Sequence, residues 1–303
     1  MPNWNEVLSE LGGLNKGPND LLRLKYLKQL KSHTKRNVLA YYSGWLQKPG
    51  LRNFDFGIND SDVTGFMTCS NKVDRKLGLD LILHIPGGSV AATEALVNYL
   101  KSLYDGNVRA IVPQLAMSGG TLIALSAKQI VMGRQSSLGP VDPQINGVPA
   151  QSLIEEFERA KAEIAADPAV LAAWQFILSK YTPTLLSNCQ HAIDWSNQLL
   201  RSFLAQSMLK DREQADRDVI TESAERLFGK QTESKNHARH LTADQVQNIG
   251  IDVVRLEEDS KLQDLVLTLH HAYCIAFSQT PALKIIENHL GIAFVPSMLE
   301  TAS

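Results

Sequence analysis

Residues 79–144 read LDLILHIPGGSVAATEALVNYLKSLYDGNVRAIVPQLAMSGGTLIALSAKQIVMGRQSSLGPVDPQ. The largely apolar run LDLILH breaks at Ile85-Pro86-Gly87-Gly88, the pattern of a buried strand entering a glycine turn. Further on, Ala116-Met117-Ser118-Gly119-Gly120-Thr121 sets a lone serine among small residues, between strand-like VRAIVP and helix-like TLIALSA. A serine at a strand-to-helix junction sits at a helix N-terminus, where free amides and the helix dipole favour negative charge. Gly87 and Gly88 offer another backbone amide with no side chain in the way. A nucleophile beside such donors is the raw material of an acyl-transfer site. Glycine turns also cradle phosphates, but neither GxGxxG nor GxxxxGK[ST] is present.

Outward from this stretch the alternation continues. NVLAYYSG reads as a strand, SDVTGFMTCSNKVDRK as a helix, SVAATEALVNYLKSLY as a helix and QIVMG as a strand. Strand–helix alternation with continuous apolar strands predicts an α/β fold, a parallel sheet with helices on both faces. Before it, residues 1–36 form a basic, helix-prone arm in which LLRLKYLKQLKSHTKR is expected to pack on the body or on a neighbouring subunit, with a surface helix on acidic lipid as the lesser reading. After it, residues 151–230 read as a helical insert, with 3.6-type spacing in EEFERAKAEIAA, PAVLAAWQFILSKY, IDWSNQLLRSFLAQSML and DVITESAERLFG. Residues 231–256 return to the core through TADQVQNIG, a capped helix, and IDVVRL, a strand. Residues 257–303 are expected to form a C-terminal helical tail, helical through Leu290. The core itself is assigned to residues 37–150.

Composition sets the outer limits. The chain of 303 residues is 44% hydrophobic, enough for a large core. A net charge of −2 gives no electrostatic reason to expect nucleic acid as a partner. Cys69, Cys189 and Cys274 are odd in number and lack CxxC spacing, against a disulfide framework or zinc knuckle. No window approaches the roughly 18 apolar residues of a membrane span, and MPNWNEVLSELGG has no signal-peptide core. A cytoplasmic address is the default expectation.

HIPGGSVAATEAL, PQLAMSGGTLIALSAKQIVMG and SSLGPVDPQING, in that order, resemble the Clp-protease-like superfamily of serine peptidases. More narrowly they are similar to the serine dehydrogenase proteinase family, related to signal peptide peptidase A. The resemblance covers residues 37–150 well and 230–256 weakly. It implies a ClpP/crotonase-like fold, Ser118 as nucleophile, and the amides of Gly88 and Gly119 as oxyanion hole. It implies protein or peptide substrates, a homo-oligomer and no cofactor. In Clp proteases a histidine occupies the loop that here reads LGPVDPQ, and this sequence has none there. The family's Ser, Asp, His order carries Asp142 over as the orienting carboxylate. KNHARHLTADQVQNIGIDVV matches its histidine-bearing stretch, with His237 as base and His240 as the alternative. Signal-peptide-peptidase relatives instead use a lysine, and Lys161 lies 43 residues after Ser118, a separation similar to theirs.

Other polar features read as structure. His84 ends the apolar strand and is expected to pack or to bind a backbone carbonyl. His270, His271, Tyr273 and Cys274 look like metal ligands, yet adjacent helical residues diverge by about 100° and cannot easily serve one ion. His237 and His240 make an HxxH pair with no carboxylate or cysteine that evidently completes a ligand set, so no metal is expected there either. Trp45, Trp174 and Trp195 lie in separate segments and make no stacking platform. Two other function classes stay open. A crotonase-type acyl-thioester enzyme would bind coenzyme A and leave Ser118 unlabelled by a fluorophosphonate. A catalytically silent assembly module would be inert toward peptide libraries.

Overall fold

The computed structural model describes residues 18–51, 56–229 and 239–298. Its centre is a seven-stranded sheet whose strands are β1 (Asn37–Ser43), β2 (Leu79–His84), β3 (Val108–Val112), β5 (Gln129–Met132), β10 (Val253–Arg255), β11 (Lys284–Asn288) and β12 (Ala293–Phe294). Their order is β10-β5-β3-β2-β1-β11-β12. From β10 to β1 every neighbouring pair is parallel, with Asn37 opposite Leu79 and Leu79 opposite Val108. β11 and β12 complete the sheet in antiparallel fashion. The α/β expectation from LDLILH therefore holds, and the reason is visible in the burial. Every residue of β1 and β2 is buried, as a strand covered on both faces requires.

Alternate residues feed two cores. Leu39, Tyr41, Leu81, Leu83, Ala110 and Val112 face one layer of helices. That layer contains α2 (Ser61–Cys69), α3 (Val90–Tyr104), α4 (Gly119–Leu125), α7 (Leu185–Gln206), α8 (Gln214–Phe228) and α9 (Ala243–Asn248). Val38, Ala40, Tyr42, Ile82 and Ile111 face the other layer, made by α1 (Pro18–Thr34) and α10 (Ser260–Gln279). The N-terminal arm thus packs on the body, with Leu27 and Leu30 buried against α10. Caps fix the helix starts. The Ser89 hydroxyl accepts the Ala92 amide ahead of α3, and Asp259 accepts that of Leu262 ahead of α10.

The segment KIIEN differs from expectation. It is not part of a helical tail but strand β11, antiparallel to β1 with Ser43 opposite Lys284. Pro281 and Gly291 bracket a run too short for a stable helix, and its paired isoleucines are buried in the sheet. A smaller sheet, β4 (Leu115–Ala116), β6 (Ser137–Leu138) and β9 (Leu241–Thr242), stands beside the C-terminal end of β2. A hairpin of β7 (Gln144–Ile145) and β8 (Val148–Pro149) follows, then α5 (Ala150–Ala166) and α6 (Leu171–Leu178). The helices between 150 and 230 divide physically. The outer end of α7 joins α5 in a satellite cluster of Ala150, Leu153, Leu185, Cys189 and Ile193. Its inner end supplies Leu199, Leu200, Phe203 and Leu204 to the main core. Among the described residues no helix is long and apolar enough to cross a membrane.

Candidate active site

The site forms where β2 and β4 run out together. The Ile85 amide donates to Leu115 O at 3.1 Å and the Met117 amide to Ile85 O at 3.0 Å, so the two turns share one sheet edge. Gly87 and Gly88 take φ of +104° and +151°, backbone that side chains rarely adopt. A methyl group on Gly87 would lie 2.7 Å from the Ser118 Cβ; on Gly88 it would lie 2.2 Å from the Ile58 amide nitrogen. The glycine pair is there because the backbone must pass this close. Gly87→Ala is expected to cost about 2–3 kcal/mol through strain and overpacking. Gly106→Ala, equally left-handed at φ +70° but in open space, should cost only about 1 kcal/mol. Denaturant midpoints of the two variants measure the difference, and equal losses would remove the steric explanation.

Ser118 is half-buried at the tight turn between β4 and α4, with φ +51° and ψ −113°. A non-glycine residue held there stores strain of order 1–3 kcal/mol, which the surroundings must over-determine. Thr121 does much of this. Its hydroxyl lies 2.9 Å from Ala116 O and 2.8 Å from Gly139 O, and accepts the Gly139 amide at 3.0 Å. It ties the serine turn to the Gly139–Gln144 loop. That loop is held again by the Val141 amide on Phe228 O, at 2.8 Å, and by the Ser196 hydroxyl on Val141 O, at 2.7 Å.

Two backbone amides near Ser118 have no acceptor among the described residues. Gly119 opens α4, so its N–H has no intrahelical acceptor, and it donates to none among the described residues. Gly88 bridges to Ile58, but the bridge uses the Gly87 carbonyl and the Ser89 amide, at 2.7 and 2.9 Å, and leaves the N–H of Gly88 unused. The amide nitrogen of Gly88 lies 3.7 Å from where a Gly119 Cβ would stand. Ser118, Gly88 and Gly119 line one cleft of about 600 Å³ with Gly57–Asn59, Pro86, Leu122, Val141, Pro143 and Gln144. Ala192 and Trp195 of α7 close it from the helical insert, and the Trp195 indole donates to Glu94 at 3.1 Å. Nothing in the sequence marks these two as cleft residues, because the loop contacts that bring α7 here are non-local.

The remaining candidates stand as follows. Asp142 is half-buried between cleft-lining Val141 and Pro143. His237 lies outside the described residues. His240 is exposed, one residue before β9. Lys161 is 67% exposed on α5 and paired with Glu158 at 2.6 Å, and is not among the lining residues. His84 points away from the cleft, into the α10 layer. It packs on Trp45, Tyr42 and His270, and its Nδ1 accepts the Leu115 amide at 3.4 Å rather than meeting a carbonyl. His270 and Cys274 are buried with it. Burial, and then His270, push the His84 imidazole well below the usual histidine range, while burial takes His270 down to about 3. Among the described residues no three His, Cys, Asp or Glu side chains converge as a metal site.

Fold and sheet-edge geometry together define an α/β protein of the ClpP-like class. The chain belongs to the family of ClpP-like SDH-type serine proteinases, whose model matches residues 22–286. It is similar to the uncharacterized protein MJ0137 of Methanocaldococcus jannaschii, 29% identical over 256 residues, which are 84% of this chain and 79% of that one. It is also similar to the uncharacterized protein MJ1495 of the same organism, 41% identical over 151 residues, 49% of this chain and 51% of that one.

Proposed function

We propose that this protein is a serine endopeptidase acting through an acyl-enzyme on Ser118. The observation that supports it most is the meeting, in one cleft, of a strained serine with the two unpartnered amides of Gly88 and Gly119. In the first half-reaction Ser118 Oγ bonds to the substrate carbonyl carbon as its proton passes to the base. The oxyanion so formed accepts the Gly88 and Gly119 amides, a contribution worth roughly 10²–10³ in rate per donor. Collapse breaks the C–N bond, and the departing amine takes the proton from the base. Water then gives a proton to the base and attacks the ester; collapse breaks the Oγ–C bond, the base returns its proton to Ser118 Oγ, and the acid leaves. The cycle calls for no cofactor.

We assign the base to His237 and its orientation to Asp142. Connectivity favours the stretch that holds His237. Phe228 before it is bonded to Val141, and Leu241 after it pairs with Leu138. Both ends of the intervening chain are therefore fixed at the Asp142 loop. His237 precedes Leu241 by four residues and His240 by one, so both histidines of the stretch share this connectivity. Lys161 is instead exposed on α5, paired with Glu158, and is not among the lining residues. A homo-oligomer acting on peptides in the cytoplasm is part of the same proposal.

Fluorophosphonate labelling tests it. Wild type should label, Ser118→Ala should not, and His237→Ala should label at least about 100-fold more slowly. Lys161→Ala should match wild type. Unlabelled wild type removes the peptidase assignment, and a lysine-dependent, His237-independent rate replaces the triad with a dyad.

A further inference from the structure

We propose that Lys284, held by Asp62, is a positioning residue for the oxyanion hole, orienting and polarising the Gly88 amide through two intervening peptide groups. This deepens the acyl-transfer reading of Ser118 and rests on it. The path is continuous. Lys284 Nζ donates to Gly57 O at 2.9 Å. That carbonyl shares a peptide plane with the Ile58 N–H, which donates to Gly87 O at 2.7 Å. The Gly87 carbonyl in turn shares a plane with the Gly88 N–H, the proposed oxyanion donor. In a trans peptide the C=O and N–H point in opposite directions. Fixing each carbonyl therefore fixes the aim of the amide behind it. Hydrogen bonds in such a chain polarise one another, so the ammonium at one end strengthens the donor at the other.

The far end of the relay is built for this. Lys284 and Asp62 are both 1% exposed and pair at 2.6 Å. Asp62 also accepts the Tyr41 hydroxyl at 2.6 Å and the Asn59 amide at 2.9 Å. The Ser43 hydroxyl takes Phe56 O at 2.9 Å. Four successive residues, Phe56 to Asn59, are thus anchored, although they join the main chain of the site by one isolated bridge, Ile58 to Gly88. A buried ion pair is a poor way to add stability, because desolvation offsets most of its attraction. Here its hydrogen bonds go to the backbone of the segment that holds Gly87. Ile58 completes the geometry, its Cδ1 reaching 3.0 Å from where a Gly119 Cβ would stand.

The test compares wild type with the double variant Asp62→Leu/Lys284→Met, which replaces the pair by apolar groups of similar size. Three quantities are read: the second-order rate of fluorophosphonate labelling, the melting temperature, and hydrogen exchange of the Ile58 and Ser89 amides. The expected result is labelling slowed at least about 10-fold, exchange of both amides at least about 10-fold faster, and β2 amides unchanged. Lys284→Arg, which keeps a cation beside Asp62 and Gly57 O, should recover most of the labelling rate. A folded double variant that labels within two-fold of wild type overturns the proposal. Should wild type itself not label, the peptidase assignment fails, and exchange alone decides the relay: unchanged protection at Ile58 and Ser89 overturns it. Should the double variant not fold, Asp62→Asn takes its place. A labelling rate at least about three-fold slower is then expected, and an unchanged one overturns the proposal.

Discussion

Lys284→Met alone is expected to destabilise the fold by about 3–5 kcal/mol, the usual cost of leaving one half of a buried ion pair. The substitution strands the Asp62 carboxylate at a site 1% exposed, with the Tyr41 hydroxyl and the Asn59 amide as its remaining donors. It also removes the donor from the Gly57 carbonyl. At about 2–4 °C per kcal/mol for a chain approaching this size, the melting temperature should fall by roughly 10 °C. Adding Asp62→Leu should restore most of that, because the double variant buries no charge. A single variant that melts within a degree of wild type would show that water reaches the pair.

The second large effect is loss of stability in mild acid. His84 and His270 are 1% and 7% exposed, their rings 4.9 Å apart, packed between Tyr42, Trp45, His271 and Cys274. Burial first, then the neighbouring ring, holds both neutral when folded. In the unfolded chain each titrates near 6.5. Below that pH the unfolded state binds protons that the folded state cannot, so stability is whole above about 6.5 and falls toward about 3, where His270 itself titrates. Each histidine contributes up to about 1.4 kcal/mol per pH unit. Between pH 6 and 5 the pair should therefore remove on the order of 2–3 kcal/mol. Denaturant midpoints across this range, in wild type and His270→Leu, measure it. The variant should lose about half of the slope, and an undiminished slope would assign the acid sensitivity to other groups.

The sheet from β2 to β5 was legible because its strands are buried on both faces and so are written mostly in apolar letters, with Asp80, His84, Arg109 and Gln129 the exceptions. The glycine turns were legible for a related reason: close backbone approach leaves glycine as the residue that fits. β11 was not. Lys284, Glu287 and Asn288 look like the polar face of a helix, with Leu283, Ile286 and Leu290 as its apolar stripe. In the fold all three polar side chains are buried and satisfied from a distance. Lys284 meets Asp62, Glu287 meets Arg23 at 2.8 Å and the Tyr273 hydroxyl at 3.1 Å, and Asn288 donates to Cys69 O at 2.6 Å. Sequence spacing carries no trace of Asp62, Arg23 and Cys69, each more than 200 residues from its partner. The Phe56–Asn59 segment was equally silent, since a single bridge has no periodicity. The same limit hid Thr121 and Trp195, whose roles arise from loops and helices brought together only in three dimensions.

Helix α7 has a mechanical consequence. Its 22 residues make a rod of about 33 Å. One end is clamped in the main core by Leu199, Leu200, Phe203 and Leu204, and the other carries the satellite cluster. Of the cleft wall, Trp195 lies between the two and Ala192 at the inner edge of the satellite cluster. The helix is thus a lever with the cleft beside its fulcrum. The cleft wall and the outer helices therefore stand on one continuous rod.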